Sequence, residues 1–146
     1  MFRLKRRLSV RCATAAAMLS LSACHDDGPV VPAATTKHVM VTITEPSSKQ
    51  IFEAAAEPPG DDASWTNIQS NAQATSDSAK RLIRAVRGGN KDTWVQLANA
   101  MAEAADKVAA AAAAKDANAL ATAGDTLFAS CENCHKAFQP QQKKSG

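Results

Sequence analysis

The stretch LFASCENCHKAF, residues 127–138, decides the fold because it joins helical spacing to a compact group of reactive side chains. Cys131, Cys134 and His135 are three and four positions apart, and residues so related project from one face of an α-helix. The sequence before them is rich in Ala, the best helix former. The stretch therefore predicts a C-terminal helix that carries two thiols and one imidazole on a single face.

The residues Cys131 to His135 form a C-x-x-C-H motif, which is typical of covalent haem attachment. Two thiols at this spacing can add across the two vinyl groups of a haem and leave the adjacent imidazole beneath the iron. His135 then supplies Nε2 as an axial ligand. The motif predicts one covalent haem c, held by Cys131 and Cys134.

Three other uses of paired cysteines remain alternatives. A structural zinc site needs four protein ligands, and the sequence has neither a second C-x-x-C nor an H-x-x-x-H. A thioredoxin-like pair belongs in a βαβ pattern, whereas the region before Cys131 is helical in character. A disulfide between Cys131 and Cys134 would close a very short loop and add little stability. Haem attachment is the favoured interpretation.

The N-terminal sequence predicts export. Residues 1–11 hold five basic residues and no acidic ones, and the apolar run Cys12 to Leu21 follows, which is too short to span a bilayer. Residues 1–23 are therefore predicted to be a secretory signal peptide. The sequence Leu21-Ser22-Ala23-Cys24 also resembles a bacterial lipobox, which implies lipidation of Cys24. The alternative is ordinary cleavage near Ala23, which would leave Cys24 as a free thiol in an oxidising compartment.

The cysteine count agrees with both predictions. Of the four cysteines, Cys12 leaves with the signal peptide, Cys24 takes lipid, and Cys131 and Cys134 take haem. Bacterial c-type haem is assembled outside the cytoplasmic membrane, so the haem prediction requires an export signal. The two ends of the chain thus support each other.

The charge of the chain changes when the signal peptide is removed. The full chain carries 17 basic and 14 acidic residues, and loss of the five basic residues of the signal leaves 12 against 14, a net charge of −2. A mature chain of this charge gives no reason to expect a nucleic-acid partner.

The domain organisation is predicted to be simple. Residues 24–35 contain Asp26, Asp27, Gly28, Pro29 and Pro32 and too little apolar content to pack, which predicts a flexible tether. Residues 36–139 are predicted to form a single domain, and residues 140–146 a polar tail. The sequence shows no nucleophile–base pair or carboxylate dyad, so catalysis is not predicted.

Three helices follow from apolar stripes with helical spacing. The first begins near Asp61–Ser64, which offer capping oxygens, and ends at Gly88-Gly89. The second starts at Asn90, and Asp116 caps the third. Gly124 inside the third helix predicts close approach of a neighbouring helix or of the haem edge. The predicted inward residues are Trp65, Ile68, Ala72, Thr75, Ala79, Leu82, Ile83 and Val86 on the first, Trp94, Leu97, Ala98, Met101, Ala105, Val108 and Ala112 on the second, and Leu120, Gly124, Leu127, Cys131, Cys134, His135 and Phe138 on the third.

The segment before these helices allows two interpretations. Residues 39–44 alternate like a strand, but a lone strand would have no partner in a chain without other strand signals. A helix over about Thr36 to Ala56, kinked at Pro46, gives a consistent apolar face and is preferred. The predicted fold is therefore all-α, an antiparallel four-helix bundle with haem bound covalently to its C-terminal helix.

A four-helix bundle with C-x-x-C-H on its last helix and an aromatic residue after it resembles the class II c-type cytochromes, the cytochrome c prime family. The resemblance covers residues 36–139 and is most specific from Cys131 to Phe138. In that family the first helix passes over the distal haem face, where low-spin members supply a Met and gas-binding members an apolar side chain. The resemblance implies Met40 as the distal ligand, with His38 or an open site as alternatives. Many members have Arg after the aromatic residue, whereas this chain has Gln139.

The resemblance implies a periplasmic one-electron carrier with His135 and Met40 on the iron. The alternative is a high-spin haem protein that binds or senses small gases such as NO or CO at an open distal site. Redox proteins are the expected partners, together with a Gram-negative membrane bound through lipid on Cys24, and a homodimer stays open. His25 after the lipidated Cys favours the outer membrane by resemblance to known sorting rules, and soluble periplasmic protein is expected if lipidation fails.

Overall fold

A computed structural model gives the fold and describes residues 33–86 and 90–138. The first helical run consists of α1 (Ala33–Val39), a π-helical segment (Met40–Thr44) and α2 (Glu45–Ala56). Three long helices follow, namely α3 (Asp62–Ala85), α4 (Lys91–Ala114) and α5 (Ala117–Phe138). The described ranges contain no strand. The prediction of an all-α fold with four helices is confirmed.

Several predicted features lie outside the described residues. These are the signal peptide 1–23, the lipidation site Cys24, residues 24–32 of the tether, the Gly88-Gly89 helix end and the polar tail 140–146. Helical structure begins at Ala33, before the predicted start at Thr36, so the prediction of a flexible tether is wrong for residues 33–35. Within the two described ranges, no helix has the length and apolar character needed to cross a membrane.

Residues 39–44, for which the sequence allowed a strand or a helix, are helical, so the preferred prediction of a helix is confirmed. Pro46 lacks an N–H group, and its ring would collide with the carbonyl of Thr42 in a regular α-helix. The turn before the proline is therefore widened into a π-helical segment, in which Glu45 N–H donates to Met40 O. A hydrogen bond of 2.8 Å between the hydroxyls of Thr44 and Ser78 joins this segment to α3. The predicted disturbance at Pro46 thus takes the form of a π segment one turn earlier.

Side-chain caps fix the beginnings of α3 and α5 as predicted. The Asp61 carboxylate accepts from the Ser64 backbone N–H at 2.9 Å and from the Ser64 hydroxyl at 2.7 Å. Asp116 accepts from the backbone N–H of Ala119 at 2.9 Å. Asn90 precedes α4 with a left-handed φ of 55°. These bonds satisfy N–H groups that a helix start otherwise leaves without partners.

The Asp61 cap makes the stability of α3 dependent on pH. The two bonds from Ser64 lower the pKa of Asp61 below its ordinary value of 3.8. A lowered pKa means that the ionised cap stabilises the fold above pH 3.8, and that this contribution is lost as the pH falls through the lowered value. Asp61→Ala is expected to lower the thermal midpoint at pH 7, and the difference from wild type should shrink below pH 3.8. Asp61→Asn, which keeps an acceptor oxygen, is the control, and equal midpoints for Asp61→Ala and wild type at pH 7 would contradict the cap.

Each long helix packs against two others. Helix α3 contacts α2 and α4, and α5 contacts α4 and α2, which closes the ring of contacts found in four-helix bundles. Phe52, near the end of the first helical run, contacts Phe128 on α5. Val39, near the start of that run, lies in one cluster with Phe138 at the end of α5. These two elements are therefore antiparallel. The main core contains Ile51, Trp65, Ile68, Ala72, Met101, Ala105, Val108, Leu120 and Leu127 among its buried residues.

Gly124 marks the closest approach of α2 and α5. A Cβ atom at this position would lie 2.8 Å from the Cβ of Ala55, which is nearer than two carbon atoms can pack. Of the two explanations that the sequence offered for Gly124, the neighbouring helix is the one that the structure shows.

Gly124→Ala is expected to destabilise the fold by about 1–2 kcal/mol, because overpacking costs about 1–3 kcal/mol and Ala returns up to about 1 kcal/mol of helix propensity. Chemical denaturation measures the change. Gly60→Ala is the matched control, since nothing lies within 4 Å of a Cβ there. The double variant Ala55→Gly with Gly124→Ala should recover the overpacking cost, and a stable Gly124→Ala single variant would refute the close approach.

Candidate functional site

Helix α5 brings Cys131, Cys134 and His135 to its last two turns. Residues Leu120, Ala123, Gly124, Leu127 and Ser130 form its buried stripe. Both cysteines are half-buried at the edge of this stripe, and Cys131 packs against the main core. The His135 side chain is exposed, so the prediction that it points inward is wrong. Position 135 follows Cys134 by one residue and is therefore rotated about 100° from it around the helix axis.

Burial of the cysteines decides the state of their thiols. Desolvation raises the pKa of Cys131, and the pKa of Cys134 is raised first by desolvation and then by the nearby charge of Cys131. Both sulfurs are therefore thiols at neutral pH. They also lie close to the C-terminal end of α5, where the helix dipole disfavours negative charge.

This environment opposes the dithiol alternative. Cysteines of thioredoxin-like pairs have lowered pKa values and lie at helix N-termini, where thiolates are stabilised. Cys131 and Cys134 have the opposite placement and the opposite direction of pKa shift.

The zinc alternative also lacks support from neighbouring side chains. Among residues 33–86 and 90–138, no group of three or more His, Cys, Asp or Glu side chains is arranged to hold a metal ion. A structural zinc site requires four such ligands. The C-x-x-C-H motif is therefore not extended by further ligands from the described helices.

An apolar surface lies one turn before the motif. Phe128 is 55 % exposed although it is aromatic, and its ring meets that of Phe52 edge-on with centroids 5.8 Å apart. Beside this pair, a hollow of about 260 Å³ lies between α2 and α5. The lining of the hollow reaches Phe128, one turn before Cys131. The first helical run and α5 thus present apolar surface next to the thiols.

A second, smaller core cluster joins the end of α5 to the first helical run. Val39, Leu82 and Trp94 are its buried members, and Met40 and Phe138 pack against it. The rings of Trp94 and Phe138 meet edge-on with centroids 4.9 Å apart. Since Phe138 follows His135 by three residues on α5, this cluster places Met40 at the same end of the molecule as the motif.

The two candidate distal ligands differ in their surroundings. Met40 is half-buried and belongs to the cluster that Phe138 joins, whereas His38 is exposed. Met101 is buried in the main core on α4. Of these side chains, Met40 is the one that shares a cluster with the last turn of α5.

The pairing of Trp94 with Phe138 was not predicted from the sequence. The apolar stripe of α4 identified Trp94 as an inward residue, and the stripe of α5 did the same for Phe138. Neither stripe indicates that Trp94 and Phe138 contact each other, because that contact depends on the offset of α4 and α5 along their axes. The only sequence signal was the placement of both aromatics at the helix ends away from the Lys115–Asp116 turn.

Comparison with known proteins finds no protein-family model, no curated protein and no solved structure that matches this chain.

Proposed function

We propose that this chain is a periplasmic mono-haem c-type cytochrome that carries single electrons and is built as an antiparallel four-helix bundle of the cytochrome c prime type. The observation that carries the proposal is the C-x-x-C-H motif in the last two turns of α5, within an all-helical fold. Both thiols are protonated, half-buried and three residues apart, which suits addition to two vinyl groups.

The residues around the motif fit a large, flat apolar group. Phe128 and Phe52 present exposed or half-exposed aromatic surface that such a group would cover. His135 is exposed, which leaves its imidazole accessible to a bound iron.

Each residue has a distinct part in this proposal. The haem iron supplies one-electron chemistry between its ferric and ferrous states. Cys131 and Cys134 would hold the group to α5, and His135 would provide a nitrogen ligand to its iron. Met40 provides a thioether sulfur, and Val39 and Leu82 keep the surroundings of Met40 apolar. Iron held by both His135 and Met40 would suit one-electron transfer.

A gas-binding function is the second candidate. Met40 packs in an apolar cluster with Val39 and Leu82, and a Met in such a position also serves as simple core filling. If its sulfur does not reach iron, the same cluster is an apolar distal pocket. The optical spectrum of the oxidised protein separates the two, since Met ligation gives low-spin ferric haem and an open site gives high-spin haem.

The N-terminal sequence supports a position on the periplasmic side of a Gram-negative membrane, with the outer membrane favoured. Lipid on Cys24 would anchor the chain, and a bacterial lipoprotein cysteine carries several acyl chains, as stable anchoring requires. The residues between Cys24 and the start of α1 at Ala33 would act as the tether.

Cys24→Ser is expected to abolish membrane association of the chain when it is produced in a Gram-negative host. The wild-type protein should sediment with membranes and carry lipid mass on its N-terminal residue, as intact mass spectrometry would show. Cys12→Ser is the matched control, because Cys12 lies in the predicted signal peptide and its replacement should leave lipidation unchanged. Mature wild-type protein whose N-terminal Cys24 lacks lipid would contradict the anchor.

A further inference from the structure

The two ends of the bundle can be defined by the contacts that hold them together. The motif end surrounds the cluster of Val39, Leu82 and Trp94, which Phe138 joins from α5. It comprises residues 33–40, 81–86, 90–94 and 131–138. At the opposite end, an ion pair of 2.6 Å between Lys115 and Asp62 joins the turn after α4 to the start of α3. The opposite end comprises residues 53–62 and 111–125.

These two ends carry charge of opposite sign. The motif end holds five basic and two acidic side chains, all of them exposed, namely Lys37, Arg81, Arg84, Lys91 and Lys136 against Asp92 and Glu132. The opposite end holds one basic and six acidic side chains, also exposed, namely Lys115 against Glu53, Glu57, Asp61, Asp62, Asp116 and Asp125. The described bundle therefore has a basic end, which carries the C-x-x-C-H motif, and an acidic end.

The helix dipole explains only part of this distribution. Arg84 and Lys136 lie in the last turns of α3 and α5, where a cation is favoured, and Lys136 also pairs with Glu132 at 3.4 Å. Lys91 is the first residue of α4, where the dipole disfavours a cation. Lys37 lies near the start of the first helical run, which continues to Ala56, so the dipole does not favour it either. The positive charge of Lys37 and Lys91 thus fits an anionic surface outside the bundle.

The point at which the N-terminal segment joins the bundle indicates which anionic surface this is. Helix α1 begins at Ala33, and Val39 on the same helix packs in the motif-end cluster. Nine residue steps separate Cys24 from Ala33, and a fully extended chain covers at most about 3.6 Å per step. Lipid on Cys24 would therefore keep Ala33 within about 30 Å of the bilayer. The basic end is the end that such an anchor would hold beside the membrane.

We infer that the motif end docks on anionic phospholipid headgroups, with Lys37 and Lys91 among the residues that face them. The inference rests on the proposed lipid anchor at Cys24. Each basic residue close to an anionic bilayer strengthens the attraction about fivefold, and salt screens this attraction within a Debye length. The acidic end is repelled by the same surface, so the charge distribution also orients the bundle. The propionate carboxylates of a bound haem would reduce the basic excess, so the experiment uses haem-loaded protein.

Amine acetylation of the lipidated wild-type protein tests the docking without any substitution. The protein is placed in vesicles of phosphatidylcholine alone or of equal parts phosphatidylglycerol and phosphatidylcholine, and acetylation of each lysine is read from peptide masses. Lys37 and Lys91 should be acetylated more slowly on the vesicles that contain phosphatidylglycerol, and high salt should remove the difference. Lys107 and Lys115, towards the acidic end, should react equally on both.

A pair of matched variants tests whether charge causes the protection, with Lys136 as the reporter in both. Lys37→Gln with Lys91→Gln should weaken docking about 25-fold, at about fivefold per charge, and acetylation of Lys136 should become equal on the two kinds of vesicle. Lys49→Gln with Lys107→Gln removes the same amount of charge away from the motif end. This control should keep the protection of Lys136.

The outcomes separate the docking from the anchor on which it rests. Mature protein without lipid on Cys24 would overturn the anchor. Lipidated protein in which Lys37 and Lys91 react equally on both kinds of vesicle would overturn the docking alone, and would leave an acidic redox protein as the candidate occupant of this end. Equal loss of Lys136 protection in the two double variants would also overturn the docking, because the position of the charge would then not matter.

Discussion

Replacing both Cys131 and Cys134 with alanine is expected to abolish covalent haem in protein produced by a host that matures c-type cytochromes. Each thioether bond needs one of these sulfurs, so the double variant has no attachment point, whereas each single variant retains one. Haem should remain with wild-type protein on a denaturing gel and should be extracted from the double variant by acidified organic solvent. The single variants should give intermediate haem content.

The matched control for this experiment lies inside the motif itself. Glu132 and Asn133 stand between the cysteines and are both exposed, so the double variant Glu132→Ala with Asn133→Ala keeps the thiols, their spacing and the buried stripe. It should retain covalent haem. Equal loss of haem in both double variants would mean that disturbance of the helix, and not removal of the thiols, causes the loss. Covalent haem retained by the cysteine double variant would contradict attachment through Cys131 and Cys134.

The cysteine double variant should keep most of its helix content. The main core runs from Ile51 on α2 to Leu127 on α5 and reaches Cys131 only at its edge, so the helices have packing partners independent of the thiols. Its thermal midpoint should nevertheless fall below that of haem-loaded wild type, since a group bound only by the folded state stabilises that state. Far-ultraviolet circular dichroism followed with temperature measures both quantities.

Met40→Leu is expected to convert the haem from low-spin to high-spin and to admit CO to the ferrous protein at once. The replacement removes the thioether sulfur and conserves side-chain volume, so the packing of Val39, Leu82 and Phe138 should persist. Ferric wild-type protein should show the weak near-infrared charge-transfer band of Met-ligated haem, and the variant should lack it. Because a thioether favours ferrous iron, the variant should also have a lower reduction potential.

Two further variants isolate the effect of Met40. Met101→Leu removes a sulfur from the main core, and His38→Ala removes the exposed imidazole that is the alternative ligand. Both should leave the spectrum and the CO reaction of wild type unchanged. A wild-type protein that is already high-spin and binds CO would refute the Met40 assignment and favour the gas-binding function.

The sequence predicted helix type, helix starts and buried faces well because these depend on local chemistry. Asp61 and Asp116 were recognisable as caps since each carboxylate serves N–H groups three residues ahead. The apolar stripes of α3 and α4 were visible from their spacing, and residues such as Ile68, Ala79 and Val108 are buried as expected. These features need no knowledge of the neighbouring helices.

The features that depend on tertiary contacts could not be predicted from local sequence. The spacing of the buried residues Val39 and Thr44 matches one π turn, but the sequence indicated only a kink at Pro46. The exposure of His135 depends on which edge of α5 meets α2. The partner of Gly124 and the pairing of Trp94 with Phe138 both depend on the relative heights of helices.

The central claim is that Cys131 and Cys134 carry one haem, and the mass of a single peptide tests it most directly. Trypsin should release residues 116–136, between the cleavage sites after Lys115 and Lys136, and this peptide contains both cysteines. In protein matured in a Gram-negative periplasm, the peptide should carry the added mass of one haem and resist thiol alkylation. A peptide of unmodified mass with two alkylatable thiols would contradict the account.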